Sequence, residues 1–228
     1  MFNKLYPLIV SLLFLSCGSS VHTTSANKKS LSTHKNIAIL PSQIYFGPKM
    51  VRQTDKFTEP EKQELQRYMS IVLQQHLYEM SQKHRKHFPF TVTIQPAETT
   101  NQILSSNKIS FAQVFGVDKA TICKILGVDA IIYSQTIFGK SDKESLDDAI
   151  NRGSMASHIS IYDSIVSTPL WFYDKELSKD PNNITSIAED MPQAYYVAEN
   201  KYQKVLIPWI PTIDQMFQSF LADFPYSK

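Results

Sequence analysis

The alternation of apolar and polar residues predicts that a folded domain begins near residue 36. Residues 36–41 read NIAILP, a continuous apolar run that is typical of a strand covered on both faces. After a loop at 42–57, of a length that is often functional, Thr58 and Glu61 have the spacing of a helix capping box. Apolar residues then recur at intervals of three and four as far as His84, which predicts one long amphipathic helix.

Four more elements follow the long helix. Residues 90–96 alternate β-branched positions and read as a strand, and residues 97–104 read as a short helix. Asp118 stands at the N-cap of a further helix, which ends at Gly127, where a left-handed backbone is needed. Residues 129–138 then form a strongly apolar strand.

The last part of the chain predicts a hairpin and two helices. Residues 158–176 read as two strands joined near residues 167–169. One helix is predicted from Asp190, and Thr212 has the capping pattern that opens a final helix after two proline breaks. The order β-α-β-α-α-β-β-β-α-α predicts an α/β fold, with a mixed sheet of about five strands and helices packed on it.

The N-terminus has the features of a signal peptide over residues 1–16. Lys4 supplies a positive charge, and the apolar run after it is too short to remain as a membrane-spanning helix. The run ends in FLSC, followed by GSS. This pattern resembles the lipobox of bacterial lipoproteins, in which the cysteine, here Cys17, becomes the first residue and is diacylated on sulfur. The alternative is an ordinary signal peptide with a chance cysteine.

The resemblance to a lipobox implies that Cys17 anchors the protein in a membrane. Gly18 stands where lipoproteins retained at the inner membrane carry an acidic residue, which implies the outer membrane and its periplasmic face. Residues 18–35 are rich in Ser, Thr and Lys and show no hydrophobic period. We therefore expect residues 17–35 to form a lipidated, disordered tether and residues 36–228 to form a single periplasmic α/β domain.

Composition narrows the classes of function. The chain is 43% hydrophobic and 19% charged with a net charge of +2, which is ordinary for a globular protein and does not indicate a nucleic-acid partner. Its six glycines form no phosphate-binding motif, and neither a GxSxG nor an HExxH sequence occurs. We therefore expect no enzymatic activity, no cofactor and no metal. An envelope hydrolase with an unrecognised site is the least favoured alternative.

Three smaller groups of residues favour structural interpretations over chemical ones. His76, His84 and His87 are possible zinc ligands, but the lysines and arginine around the last two favour a solvated, basic helix end. Cys123 lies on a predicted helix without a nearby histidine, which is typical of a small buried hydrophobe. The carboxylates at 142–148 lack the spacing of a calcium loop and indicate an exposed turn.

Aromatic residues are dense in the last third of the chain. Most of them are expected to fill the core between the sheet and the helices. The alternative is that some of them, namely Tyr195, Tyr196 and Trp209, form an apolar patch that contacts a partner, since Tyr and Trp are enriched at protein interfaces.

Several segments taken together resemble one superfamily of envelope proteins. They are a capped long helix and the sequences NIAILP, FTVTIQP, CKILGVDAIIYSQ and SIYDSIVSTPLWFYDKE. They are similar to the α/β domain of curli-secretion lipoproteins, of the lipoprotein activators of penicillin-binding proteins and of the amino-terminal part of TolB. The resemblance is most specific at residues 126–135 and 161–174, where a helix, Gly, Val and Asp lead into a buried strand and a turn precedes an aliphatic residue and Trp.

The resemblance implies a non-enzymatic accessory or assembly factor of the cell envelope. Such a protein docks on another envelope protein in secretion, assembly or cell-wall synthesis, or it self-associates. The alternative is a lipoprotein that binds a small ligand or glycan in a cleft near residues 42–57. The motifs that carry the resemblance are structural, so they predict the fold more directly than the function.

Overall fold

The computed structural model describes residues 20–23, 25–140, 153–178 and 200–228. The predicted signal peptide, Cys17, the carboxylates at 142–148, the helix start at Asp190, and Tyr195 and Tyr196 therefore lie outside the described residues.

The described strands form one seven-stranded sheet. Its order is β1-β7-β6-β5-β2-β4, and β3 also pairs with β5. On one side of β5, strands β2 and β3 both run parallel to it, and β4 runs parallel to β2. On its other side, β6, β7 and β1 follow one another in antiparallel pairs. The strands are β1 (Ser20–His22), β2 (Asn36–Ile39), β3 (Gln43–Phe46), β4 (Thr93–Gln95), β5 (Ala130–Lys140), β6 (Ser154–Asp163) and β7 (Trp171–Ser178).

Helices lie on both faces of this sheet. One hydrophobic cluster joins the first face to the long helix and the C-terminal helices, and a second cluster joins the other face to the three helices between β4 and β5. None of the described helices is long and apolar enough to cross a membrane. The helices are α1 (Ser25–Leu31), α2 (Pro48–Gln53), α3 (Glu59–Arg85), α4 (Ala97–Ser106), α5 (Phe111–Val114), α6 (Lys119–Leu126), α7 (Asn200–Leu206) and α8 (Ile210–Ala222), with a 3₁₀ turn at Ile207–Trp209.

The mixed α/β class predicted from the sequence is confirmed, and so are its local signals. In α3 the backbone N–H of Thr58 donates to Glu61 Oε2 at 2.8 Å, which closes the predicted capping box. Asp118 accepts from the N–H of Thr121 at 2.9 Å at the start of α6, and Gly127 ends that helix with φ of 66°. These features depend only on neighbours in sequence.

The prediction of a long loop at 42–57 is wrong, because this segment contains β3 and α2. Pro41 interrupts the strand, but the chain continues beside β5: β2 pairs with its first half and β3 with its second half. At the interruption, α3 supplies the missing donors. Gln74 Nε2 donates to the carbonyl of Ile39 at 2.7 Å, and the hydroxyl of Ser70 donates to the carbonyl of Ser42.

The prediction of a disordered tether over residues 17–35 is wrong for its described part. Ser20, Val21 and His22 pair with Asp174, Tyr173 and Phe172 as strand β1, and α1 follows with Leu31 buried. Backbone pairing at a sheet edge needs no apolar side-chain pattern, so the composition of this segment gives no sign of it. Together with β3, β1 explains why the sheet has seven strands where about five were expected.

The predicted start of the final helix at Thr212 is also wrong. The helix begins at Ile210, with Pro211 in its first turn and Thr212 buried inside it. Proline fits the first turn of a helix because the N–H that it lacks would have no partner there. Pro211, which was expected to be a break, is therefore part of the helix start.

Three glycines converge where β5 ends and α2 begins. A Cβ added at Gly47 would lie 2.6 Å from the carbonyl oxygen of Gly139, and one added at Gly153 would lie 2.8 Å from the Trp209 ring. Gly139 itself has φ of 71°, and an added Cβ there would overlap the backbone nitrogen of Met50. The close contact of β5 with α2 therefore requires glycine at position 139.

The variant Gly139→Ala is expected to lower the free energy of unfolding by about 2–4 kcal/mol, since left-handed strain adds to overpacking against Met50. Urea denaturation measures the change. The matched control is Gly116→Ala, where the nearest atom lies 3.7 Å from the added Cβ, and its stability should remain within about 1 kcal/mol of the wild type. Equal effects of the two substitutions would contradict this account of Gly139.

The capping carboxylate of Glu61 predicts a loss of stability in acid. It accepts from Lys201 Nζ at 2.7 Å and from Thr58, and these contacts, Lys201 first, lower its pKa from 4.5 to about 2. Because the pKa is lower in the folded protein, the contribution of the Glu61 carboxylate to the free energy of unfolding is complete above pH 4.5. It disappears as the pH falls towards 2. In urea denaturation, Glu61→Gln should therefore be less stable than the wild type near neutral pH, with a difference that shrinks through this window.

The control for this measurement is Gln63→Ala, an exposed substitution on the same helix that removes no titratable group. Its effect should not depend on pH. A Glu61→Gln difference that stays constant down to pH 3 would show that the charge of Glu61 is not what stabilises the helix start.

Candidate functional site

The second half of the sheet has one face that no described helix covers. Along β5, Ile131 and Tyr133 pack under α6 and its neighbours, whereas Gln135 and Ile137 on the same face are partly exposed. The side chains between them point the other way: Thr136 and Phe138 are buried against the C-terminal helices. We call the face formed by β3, β5, β6 and β7 beyond Tyr133 the open face.

A row of polar side chains crosses the open face from strand to strand. Gln43, Gln135, His158 and Asp174 are adjacent in the strand register. Gln135 Nε2 donates to Gln43 Oε1 at 3.0 Å, and Tyr133 donates its hydroxyl to the same oxygen. His158 Nδ1 lies 2.6 Å from Asp174 Oδ1. The row is thus ordered by contacts between its own members.

A second row lies beside the first, towards the end of the strands. Tyr45, Ile137, Ala156 and Glu176 are adjacent in register, and Tyr45 is 42% exposed. Lys140 Nζ contacts Glu176 Oε2 at 2.5 Å, and this contact, followed by the Ser154 hydroxyl, lowers the pKa of the Glu176 carboxyl. This row presents an aromatic ring, two aliphatic side chains and an ion pair.

The two rows enclose a shallow trough of about 430 Å³. Its lining comprises an exposed tyrosine, an amide, an imidazole, two carboxylates and two lysines, contributed by Tyr45, Gln135, His158, Asp174, Glu176, Lys140 and Lys175 among others. This volume falls within the range of small-molecule sites, and the mixture of an aromatic ring with hydrogen-bonding groups is also common at protein interfaces. The open face is our candidate functional site.

Ser160, His158 and Asp174 are connected in the order of a serine hydrolase triad. Ser160 Oγ lies 2.7 Å from His158 Nε2, whose other nitrogen contacts Asp174. However, Ser160 is fully buried, at 0% exposure. The strand backbone at this level is paired on both sides, with Tyr133 and with Phe172, so its amides do not form an oxyanion site. The arrangement orients His158 in the trough and does not present a nucleophile.

Tyr133 closes the inner end of the open face. Burial raises the pKa of its hydroxyl to about 12, so it remains a hydrogen-bond donor across the physiological range. The ammonium group of Lys119 lies 4.5 Å from the centre of its ring. These contacts fix the boundary between the half of the sheet that α6 covers and the half that stays open.

A buried polar cluster at the opposite end of the sheet is structural. Asp129 Oδ2 accepts from the backbone N–H of Lys35 and of Asn36 at 2.7 and 2.9 Å, which fixes the start of β2 beside β5. Asp163 accepts from two backbone N–H groups of the β6–β7 turn, and His34 contacts the Tyr226 hydroxyl at 2.6 Å. Burial lowers the pKa of His34. These groups bond to one another and to the backbone, and Tyr226 also lines a cavity together with Leu31 and Thr91.

The structure corrects one of the predicted contact residues. Trp209 is 1% exposed and packs edge-on against Phe138, at 5.3 Å between ring centres, so it belongs to the core and not to a surface patch. Trp209 lies on the side of the 3₁₀ turn that faces the sheet. Burial of its large apolar ring there stabilises the fold more than exposure at the surface would. Tyr195, Tyr196 and Cys17 lie outside the described residues, and their predicted roles stay predictions.

The other residues weighed from the sequence have structural surroundings. Cys123 is fully buried, and burial raises its pKa to about 12, which keeps the thiol protonated. His76 Nε2 contacts Asp214 and so connects α3 with α8, while His84 stacks on Phe88 at 4.8 Å. Among the described residues, no group of three or more His, Cys, Asp or Glu side chains could hold a metal ion.

Sequence reasoning missed the open face, although a signal for it exists. In β6 and the first part of β7 the partly exposed positions alternate with buried ones: Ala156 and His158 in one strand, and Phe172 and Asp174 in the other. This alternation is what a sheet with one solvated face produces. It predicts the hairpin directly, whereas the chemistry that its outward side chains share becomes visible only when the strands are placed side by side.

No protein-family model matches the chain, and no curated protein matches it. Solved structures to which the chain is similar include a lipoprotein, GNA1162, from Neisseria meningitidis, with 13% identity, 81% of this chain and 99% of that chain covered, and a TM-score of 0.40. The LpoB C-terminal domain from Salmonella enterica has 9% identity, covers 63% of this chain and 82% of its own, and has a TM-score of 0.32.

A PelC dodecamer from Paraburkholderia phytofirmans has 13% identity, covers 84% of this chain and 96% of its own, and has a TM-score of 0.32.

Proposed function

We propose that this protein is a lipoprotein anchored in the outer membrane through Cys17, which acts as a non-enzymatic accessory or assembly factor. Its periplasmic domain docks on another envelope protein through the open face, or associates there with a second copy. The anchor confines the domain to the membrane surface and so raises the effective concentration of the two partners.

The observation that carries the proposal is the open face itself. A sheet face that carried no function would be expected to be covered by a helix or to carry dispersed, hydrated side chains. Here Tyr45 is 42% exposed beside ordered amide, imidazole and carboxylate groups, which interact with one another in fixed positions. Exposed tyrosine within a preorganised polar surround is typical of protein contact sites.

The proposal of a non-enzymatic role rests on the groups that could react. The hydroxyl of Ser160 and the thiol of Cys123 are both buried, and burial raises the pKa of Cys123 to about 12. A nucleophile has to reach its substrate and to be deprotonated by a base, and neither group meets the first requirement.

A second candidate function is the binding of a glycan, and the shape of the trough favours it. A volume of about 430 Å³ accommodates one or two sugar rings, and the ring of Tyr45 can stack on a sugar face while Gln135, Asp174 and Glu176 exchange hydrogen bonds with its hydroxyl groups. The trough is open to solvent, so it could contact part of a longer glycan chain as well as a single sugar.

The lipid anchor predicts that Cys17→Ala abolishes metabolic labelling with a fatty acid and moves the protein from the membrane to the soluble fraction. The matched control is Cys123→Ala, which removes the buried cysteine and should leave labelling and fractionation unchanged. Continued membrane association of Cys17→Ala would rule out the anchor.

The docking proposal predicts that Tyr45→Ala lowers partner recovery by about tenfold in a cross-linked pull-down of the full-length protein from its own envelope, read by mass spectrometry. Tyr45 is 42% exposed, so its truncation should not lower stability by more than about 1 kcal/mol. Phe88→Ala is the control, since Phe88 is 54% exposed but lies at the end of α3, away from the open face.

Equal recovery of the partner by Tyr45→Ala and by the wild type would contradict docking through the open face. Recovery of the protein alone, together with binding of a soluble envelope glycan that Tyr45→Ala abolishes, would favour the second candidate. Calorimetric titration with that glycan separates the two functions, because docking on a protein predicts no heat of glycan binding.

A further inference from the structure

We infer that the domain is held on the lipid surface in one orientation, with the end of the sheet that carries α2 towards the bilayer. This inference rests on the proposed lipidation of Cys17, which supplies the attachment, and adds a direction to it. It follows from the pairing of β1, a segment whose composition predicts a loose tether.

The first step is the distance between the anchor and the folded domain. Two residues separate Cys17 from Ser20, so three Cα–Cα steps span at most about 11 Å. Ser20 is already paired with Asp174 in β7. A lipid on Cys17 therefore holds the edge of the sheet within about 11 Å of the membrane surface.

The second step is the direction in which the chain enters the sheet. Because β1 and β7 are antiparallel and Ser20 and His22 pair with Asp174 and Phe172, the chain reaches Ser20 from the side of Lys175 and Leu177. That end of β7 pairs with the start of β6, which in turn pairs with the end of β5. The anchored end of the sheet is thus the end of β5, not its beginning.

The third step is what lies at the anchored end. Phe46 in β3 pairs with Phe138 near the end of β5, and the N–H of Gly47 donates to the carbonyl of Phe138 at 2.8 Å. The helix α2 begins at the next residue, and Met50 is buried against Gly139, so α2 is fixed at this end and cannot turn away from it.

The exposed side chains of α2 and of the residues just after it suit a lipid surface. Val51 is 45% exposed on α2, Arg52 and Lys56 are exposed and Lys49 is partly exposed. Residues 47–56 contain one carboxylate, the exposed Asp55, and three cations, so positive charge predominates in this segment. An apolar side chain between cations is the pattern of a shallow contact with anionic headgroups.

The opposite end of the sheet lies far from the anchor. Asp163 pairs with Ala130 at the beginning of β5, and Ile165 in the turn beyond it is 84% exposed. Eight steps along β5 from Ala130 to Phe138 correspond to about 26 Å. Ile165 should therefore stand at least this far above Val51, outside the reach of lipid headgroups.

The test compares the two exposed aliphatic positions in the full-length, lipidated protein. Val51→Cys and Ile165→Cys are labelled with an environment-sensitive fluorophore, while unchanged protein reports any labelling at buried Cys123. The proteins are reconstituted in vesicles of phosphatidylethanolamine and phosphatidylglycerol that contain a headgroup-nitroxide lipid. The Val51 probe should lose most of its emission to the nitroxide, and the Ile165 probe should lose none.

A matched insertion variant tests whether β1 sets the direction. A flexible Gly/Ser segment of about 20 residues inserted between Ser19 and Ser20 adds a reach of about 25 Å, so the protein should stay on the vesicles while the difference between the probes shrinks. Equal quenching at both positions, or a difference that survives the insertion, overturns the orientation. Absence of lipid on Cys17 overturns both the anchor and the orientation. Sedimentation distinguishes the two failures, because a protein with the anchor but without the orientation still sediments with the vesicles and a protein without the anchor does not.

Discussion

The domain depends on the backbone hydrogen bonds of β5, which join the parallel part of the sheet to its antiparallel part. On one edge they pair with β6 over almost the whole strand, and on the other they pair first with β2 and then with β3. β5 has eleven residues and is about 36 Å long, whereas the eight-residue α6 that packs on it covers only about 12 Å. The strand therefore extends beyond the helices that pack on one of its faces. The open face is a consequence of this difference in length.

The interruption at Pro41 shows how the long edge of β5 is kept paired. The ladder is broken between Ile39 and Gln43, so the carbonyls on either side of Pro41 need donors from elsewhere. Gln74, itself held by Asn101 Nδ2 at 2.9 Å, and Ser70 bring those partners from α3, and the Ser42 hydroxyl contacts that of Ser134. Polar residues on the buried face of an amphipathic helix are thereby explained, because without them the carbonyls of the interrupted strand would be left unsatisfied.

Apart from the capping pattern at Thr212, sequence reasoning succeeded where a signal is local and failed where it depends on distant backbone. The capping box at Thr58, the N-cap at Asp118 and the left-handed Gly127 each depend on residues within a few positions, and all are present. The strands β1 and β3 are short and polar in part, and they exist because β7 and β5, which are distant in sequence, offer unpaired edges.

The candidate site was only partly predictable for the same reason. The outward positions of β6 and β7 can be recognised from their alternation, but the meeting of Tyr45 with Ile137, or of His158 with Asp174, depends on register across strands. Trp209 illustrates a different error: it was considered a contact residue because Trp is enriched at protein interfaces, and only its packing against Phe138 and Gly153 shows that it fills the core.

The glycine contacts at the end of β5 restrict substitution at the contact itself but not in the connection between β5 and β6. Gly47, Gly139 and Gly153 bring three chain segments together, and the connection that follows Lys140 returns to the sheet at Gly153, where an added Cβ would lie 3.7 Å from the Cα of Gly139. Since the two ends of this connection are fixed by the contact and not by its own sequence, its length and chemistry are free to diverge. A longer or shorter connection can therefore replace this one without moving the two strands that it joins.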